Sequence, residues 1–565
     1  MSTHKGQVTL KEVASYNNEH QDRDAKLNID LNEARAGTES EKHMTLREGL
    51  RLYPAAIFWS MLLSTAVVME GFDLTLLGSF LGYPEFVRYF GKPLEDGTYN
   101  ISSAWQSGLM NGSFTVLARS KFSVAGAIVG EIIGLFINGI IAERIGYKKT
   151  MIGALTMMIG MIFIPFFTKS IEVLLVGQIL QGIPWGIFQT LSTSYAAEVC
   201  PTVLRSYLTT YVNLCWIIGQ LIASCMLRGL LTIKNKWGFK IPYAIQWVWP
   251  VPILIGCIFA PESPWWLVRQ NRPEDAKKML YRLQSSKNVK SDPERIVSMM
   301  KHTNAMEKEI SAGTSYFDCF KGIDLRRTEI ACGVWVCQNV SGSAFMGYSV
   351  YFLQQAGFSA TNAFDLQIGQ YAIGMVGTIG AWGLMTKVGR RPLYVYGLLI
   401  LFIILMVIGI LGTKPDSKGA VWAVGVMLLV YTFFYDITIG PVCYALVAEI
   451  SSSRLRTKTI VLARNAYNIS GIINNVIMPK FLNVTALNWG AKTGFFWAGI
   501  AALCFIWSYF RLPEPKGRTY GELDVLFEQK IPARQFRHTV VDQYATMHGA
   551  NYKANNEQTD HGSQA

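Results

Sequence analysis

Charge is what this chain has least of. Only 16% of its 565 residues are Asp, Glu, Lys or Arg, where soluble domains carry about 25%. Half of the residues are hydrophobic, more than a soluble core of ordinary size can hide, so lipid must cover part of the surface. Histidine is scarce: seven residues, all in predicted tails or the central polar segment. The nine cysteines form no CxxC pair, and most fall inside apolar runs, so neither a zinc site nor a disulfide framework is indicated. There is no nucleophile–base motif and no phosphate loop, so no enzyme, no metal and no cofactor is expected. The first 51 residues are polar and show no signal-peptide pattern, so the first apolar run is expected to direct insertion.

What is present is apolar runs long enough to cross about 30 Å of hydrocarbon. They place spans near 55–80, 122–143, 149–168, 172–196, 208–231 and 243–260, and again near 330–354, 366–386, 393–412, 420–447, 459–482 and 493–511. The expectation is an all-α integral membrane protein with twelve transmembrane helices in two six-helix bundles. Its parts would be an N-terminal tail (1–52), bundles at 53–261 and 330–511, a central loop (262–329) and a C-terminal tail (512–565). The net charge of +13 sits at the ends of the runs, which reads as positive-inside topology rather than nucleic-acid binding. Arg144, Lys148, Lys149, Lys387, Arg390, Arg391, Arg454, Arg456 and Lys458 mark cytosolic loops and put both termini in the cytosol. Lys234, Lys236 and Lys240, in a predicted outer loop, run against the rule without overturning it. Another predicted outer loop, 82–106, carries the sequon Asn100-Ile101-Ser102.

A charged pattern repeats in step with the runs. Glu198 precedes Arg205 by seven residues and Glu449 precedes Arg456 by seven; Pro261-Glu262-Ser263 and Pro513-Glu514-Pro515 follow, at offsets of 251 and 252 residues. Two copies of one multi-helix unit point to transport. Glu143-Arg144-Ile-Gly146-Tyr-Lys148-Lys149 closes the second span, and Lys387-Val-Gly389-Arg390-Arg391-Pro392 stands at the matching place in the second half.

These residues, together with Pro264-Trp265-Trp266 and Gln181-Gly-Ile-Pro-Trp-Gly186, resemble a sugar porter of the major facilitator superfamily, of the fungal maltose/α-glucoside permease type. The resemblance covers about 55–527 and implies the major facilitator fold, a multi-pass location in the plasma membrane, and a sugar site between two rocking bundles. Its partners would be a small-molecule sugar, a proton and the lipid bilayer. By resemblance, Asp73, Glu70, Glu131 and Arg464 would serve proton coupling. Gln220, Gln338, Asn339, Tyr444, Asn465, Tyr467, Asn468, Tyr348 and Tyr351 would contact sugar. Glu143, Arg144, Glu198, Arg205, Arg390, Arg391, Glu449 and Arg456 would form a cytosolic gate. Ala344 stands where the family often has Asn, which suits a disaccharide.

The chain departs from the resemblance in two places. Many sugar porters carry an Arg in the fourth span to pair with the first-span Asp; here Gln178 stands there, so coupling is expected to cross the bundles through Arg464. About fourteen extra residues, Ser113–Gly126, precede the second span and read either as an outer insert or as a retained intron. The intramembrane acids are read as lying in the first half, and the asymmetry suggests where protons bind. The implied function is proton-coupled import of an α-glucoside disaccharide, maltose first. The alternatives are facilitation, another disaccharide or oligosaccharide such as cellobiose, lactose or sucrose, and a sugar sensor that does not transport.

Overall fold

The computed structural model describes residues 44–93, 99–102, 105–106, 109, 127–284, 293–301, 315–414, 417–451, 455–483, 486–518, 520–539 and 541. The N-terminal 43 residues, the whole Ser113–Gly126 insert and 542–565 lie outside them.

A backbone surrounded by hydrocarbon must satisfy its own hydrogen bonds, so apolar runs of this length become helices. The long helices are α1 (Pro54–Phe80), α2 (Ala127–Ile145), α3 (Tyr147–Phe167), α4 (Ile171–Val199), α5 (Thr202–Leu230), α6 (Trp237–Phe259), α7 (Gly322–Val340), α8 (Ala360–Lys387), α9 (Arg390–Leu411), α10 (Lys418–Ile450), α11 (Arg456–Leu482) and α12 (Gly490–Arg511). Among the described residues, eight are long and apolar enough to cross a membrane: α1, α3, α4, α5, α6, α9, α10 and α12. The other four carry the polar load. α2 contains Glu131, Glu143 and Arg144, α7 contains Asp324, Arg326, Arg327 and Glu329, and α8 and α11 are rich in Asn, Gln and Thr. Polar groups are tolerated at membrane depth where they face protein or a water-filled cavity.

The chain divides into two compact units. The first comprises Met1–Ser60, Tyr195–Ser206 and Ala260–Ala312. Its leading helix, Leu46–Leu52, is closed by a Thr45/Glu48 capping box. Tyr53 Oη accepts a hydrogen bond from Gln284 at 3.1 Å, and Tyr195 Oη donates to the Pro261 carbonyl at 2.9 Å. On the surface helix Pro273–Leu283, hydrogen bonds from Arg272 and Lys278 hold the Asp275 carboxyl below the usual range.

The second unit comprises Met61–Ser194, Tyr207–Phe259 and Gly313–Ala565. In it α9 packs on α12, α8 on α10, α7 on α11 and α3 on α6. Glycine sets the closest approaches. A Cβ on Gly71 would strike the Trp216 carbonyl, and one on Gly219 would strike that of Val68, so α1 and α5 touch backbone to backbone. Gly186 does the same for α4 against the carbonyl of Glu131 on α2.

The spans are not all continuous. The sequence predicts one run over 330–354. The structure starts α7 at Gly322, ends it at Val340, turns through Gly342 (φ +104°), and resumes as Ala344–Gly347 and Ser349–Gln355. The early start escapes hydropathy because Arg326 and Arg327 lie in it. A C-terminal strap satisfies both: Arg327 pairs with Asp524 at 2.6 Å and stands over Phe527, while Arg326 donates to the Ile531 carbonyl at 2.9 Å. Arg518 closes the strap by donating to the carbonyls of Phe536, Arg537 and Thr539. α10 likewise breaks at Thr438, just before Gly440-Pro441.

The Pro-Glu step that marks the repeat has a defined task in the second half. Glu514 accepts the N–H groups of Arg390 and Arg391, both at 3.1 Å, and that of Lys516 at 3.0 Å. It thereby caps the unsatisfied first turn of α9, which follows Gly389 in the left-handed region (φ +107°). Gly146 (φ +94°) makes the matching turn before α3.

Candidate functional site

Three of the four residues expected to couple protons meet in the second unit. Arg464 of α11 lies 3.5 Å from Glu131 of α2 and 4.0 Å from Glu70 of α1. All three are buried. Gln189 of α4 donates to Glu70, Trp216 of α5 stands beside the same carboxylate, and Asn468 lies beside Glu131. With both acids ionised the cluster carries one net negative charge; one added proton makes it neutral. A basic residue from the second half of the chain thus bridges two acids from the first.

Asp73 does not join this cluster. Glu70 and Asp73 are three residues apart, which predicts a shared helix face, yet their partners diverge. Asp73 accepts a hydrogen bond from Gln246 of α6, and Gln246 accepts one from Gln181 of α4 at 3.3 Å. All three are fully buried or nearly so. Tyr243 stands nearby on α6 with Gln178 beside it. The place of the missing Arg is filled by amides.

Arg464 is also boxed by aromatic rings. Its guanidinium lies 4.3 Å from the Tyr467 ring centre and 4.8 Å from that of Trp335, and Tyr444 meets Trp335 edge-on at 4.8 Å. Such faces stabilise a cation and offer apolar platforms for a pyranose ring. Asn465, on the same helix, is buried with neither amide atom paired. Tyr348 is buried with its hydroxyl unpaired. Gln338 donates to the Gly440 carbonyl at 3.2 Å, tying α7 to the break in α10. Asn339 is spent on helix packing: it donates to the Tyr467 carbonyl and Ser470 and accepts from Asn474. Gln220 is half-buried on α5, and Tyr351 is buried in the continuation of α7.

Of the three gate acids, Glu198 and Glu449 each pair with an Arg. Glu198 pairs with Arg269 at 2.6 Å and accepts the Ser263 hydroxyl. Glu449 pairs with Arg390 at 2.9 Å. Arg391 donates to the Tyr509 carbonyl at 2.9 Å. Glu143 and Arg144 end α2. Arg205 lies in the first turn of α5, and Arg456 begins α11. Arg269 was not among the sequence candidates.

One expectation is corrected. The intramembrane acids are not confined to the first half, because Asp436 is buried in α10, its carboxylate against Gly374 of α8 and Gly440. It has no hydrogen bond or ion pair among the described residues. Sequence reasoning also missed Trp335, Gln189 and Gln246. A signal existed for two of them. Trp335 precedes Gln338-Asn339 by one turn, and Gln178, Gln181 and Gln189 fall on one stripe of α4.

The profile of the family described as "Sugar (and other) transporter" matches residues 59–527, and the chain belongs to that family: it is a multi-pass membrane permease, not an enzyme. Its relatives include the general alpha-glucoside permease of Saccharomyces cerevisiae, 44% identical over 520 residues, which span 91% of this chain and 82% of that one. The maltose permease MAL31 of the same yeast is 42% identical over 531 residues, spanning 92% and 83%. The fold is the major facilitator fold of the xylose transporter XylE. The structure of the proton:xylose symporter XylE bound to 6-bromo-6-deoxy-D-glucose superposes with a TM-score of 0.67 at 20% identity, covering 84% of this chain and 100% of the other. A partially occluded, inward-open conformation of XylE from E. coli gives 0.64, over 82% and 99%.

Proposed function

We propose that this permease imports an α-glucoside disaccharide, with maltose the leading candidate, together with a proton across the plasma membrane. The carrying observation is the buried Glu70–Arg464–Glu131 cluster, because one proton changes its charge from minus one to zero while the rings of Trp335, Tyr444 and Tyr467 line the same place. Sugar binding beside Arg464 and protonation of the acids would then act on one set of contacts. The yeast relatives named for maltose and α-glucosides support the substrate class. In this reading twelve spans form two six-helix bundles with both termini in the cytosol, and Asp73 is a second proton site. Gln220, Gln338, Tyr444, Asn465, Tyr467, Asn468, Tyr348 and Tyr351 meet the sugar, while Asn339 holds α7 against α11 beside them. Glu143, Arg144, Glu198, Arg205, Arg390, Arg391, Glu449 and Arg456 brace the cytosolic side.

The test is sugar-induced alkalinisation of the medium by cells whose only α-glucoside transporter is this chain, run with maltose, sucrose, cellobiose and glucose. Maltose is expected to raise external pH as it enters. Uptake without a pH change makes the protein a facilitator, and no uptake of any sugar makes it a sensor.

A further inference from the structure

We propose that Gln246 is the positioning residue of the Asp73 proton site: from α6 it fixes the carboxyl in one pose by a neutral amide contact, in place of an ion pair. The inference rests on the proton-coupled reading above and extends it to residues that reading does not use.

The hydrogen-bond chain has a direction. An amide has one donating end and one accepting end. Gln181 donates its N–H to the Gln246 oxygen at 3.3 Å, which leaves the Gln246 amino group to face Asp73 Oδ1. Asp73 Oδ2 has no partner, and that is the oxygen free to take the proton. The bond to Oδ1 persists in both protonation states, since a carboxylic acid still accepts at its carbonyl oxygen. The site can therefore fill and empty without breaking a salt bridge.

The surroundings agree. α4 presents the amides Gln178 and Gln181 to this corner, and α6 presents Gln246 and the phenol of Tyr243. On α1 itself Glu70 lies one turn earlier, engaged with Gln189 and beside Arg464, while α5 gives Trp216 beside Glu70. No basic side chain lies within 4.0 Å of Asp73 among the described residues. An amide donor favours the ionised carboxylate, though less than a guanidinium would. Gln246 should therefore set the pH at which transport falls away.

The experiment measures maltose uptake and maltose-driven proton uptake against external pH in cells making the full-length protein. Surface abundance and maltose counterflow, which needs no net proton movement, serve as folding controls. Gln246→Leu removes the donor and is expected to move the alkaline limb of uptake to higher pH by about one unit. Gln181→Leu releases the amide and should move it the same way by less. Gln246→Arg supplies an ion pair and should move it to lower pH. Opposite shifts from two substitutions at one buried position are not what a folding defect produces. If wild type is proton-coupled, Asp73→Asn abolishes coupling, and the limb stays at its wild-type pH in both Gln246 variants, the positioning role is overturned while the symport reading stands. If wild type moves sugar without protons, that reading fails and this inference with it.

Discussion

At the scale of single residues, energy concentrates on Arg464. It is the basic group shared by two buried carboxylates, and removing one partner from a buried ionic cluster costs about 3–5 kcal/mol. Arg464→Gln is expected to reduce maltose uptake at least about tenfold and to lower surface abundance. Glu131→Gln added to Arg464→Gln returns the buried charge to the wild-type count, so it should restore abundance while leaving proton coupling absent. Uptake and surface labelling on the same cells check both halves of this prediction. The charged members of the cluster were readable in the sequence, because an ion in an apolar run is conspicuous. The amides were not, since a buried Gln in a helix carries no mark that separates a packing bond from a hydrogen bond to an acid. Asp436 went unrecognised because no cation accompanies it at helical spacing, and none pairs with it among the described residues.

Helices and their ends carry the next set of consequences. The repeated Pro-Glu step was visible as a pattern, but its chemistry was not. Glu514 meets the first turn of α9 from more than 120 residues away, a distance that local sequence signals do not bridge. Glu514→Ala should cost about 0.5–2 kcal/mol, the range for loss of a helix cap, and lower the melting midpoint of the detergent-solubilised protein by a few degrees. Gly186 works through packing instead. Since its Cα lies against the Glu131 carbonyl, Gly186→Leu must push α2 away from α4 and carry Glu131 off Arg464. Uptake normalised to surface protein is expected to fall by about a hundredfold, with Gly186→Ala intermediate. Hydropathy found the positions of the apolar helices well and missed their breaks. The turn at Gly342 falls in a short polar patch, Gln338-Asn339 and Ser341-Gly342-Ser343, which averaging over a span-length window submerges.

At the scale of the whole molecule, one set of bonds between the sequence halves lies around Ser79 and Gly82, at and just past the end of α1. Gln367 of α8 bonds Ser79 at 3.0 Å, Gln354 donates to the Gly82 carbonyl at 2.8 Å, and Arg228 of α5 pairs with Asp365 of α8 at 2.6 Å. The ion pair is partly exposed, so it contributes about 0.2–1 kcal/mol. If these bonds hold the outer side shut, Arg228→Ala lowers the KM for external maltose, by no more than about fivefold. A zero-trans uptake series reads this directly, and an unchanged or raised KM would mean that the pair does not brace this state.

The neutral surroundings of Asp73 also have an electrical consequence. With a fixed cation beside it, the empty site would be uncharged and the loaded one positive. If Asp73 takes the coupled proton, then among amides the empty site carries a negative charge and the loaded one carries none. The field across the membrane, about 2.3 kcal/mol per elementary charge per 100 mV, then pulls on the sugar-free return of the carrier rather than on its loaded crossing. Hyperpolarisation would speed turnover at saturating sugar and hardly alter the inward step itself.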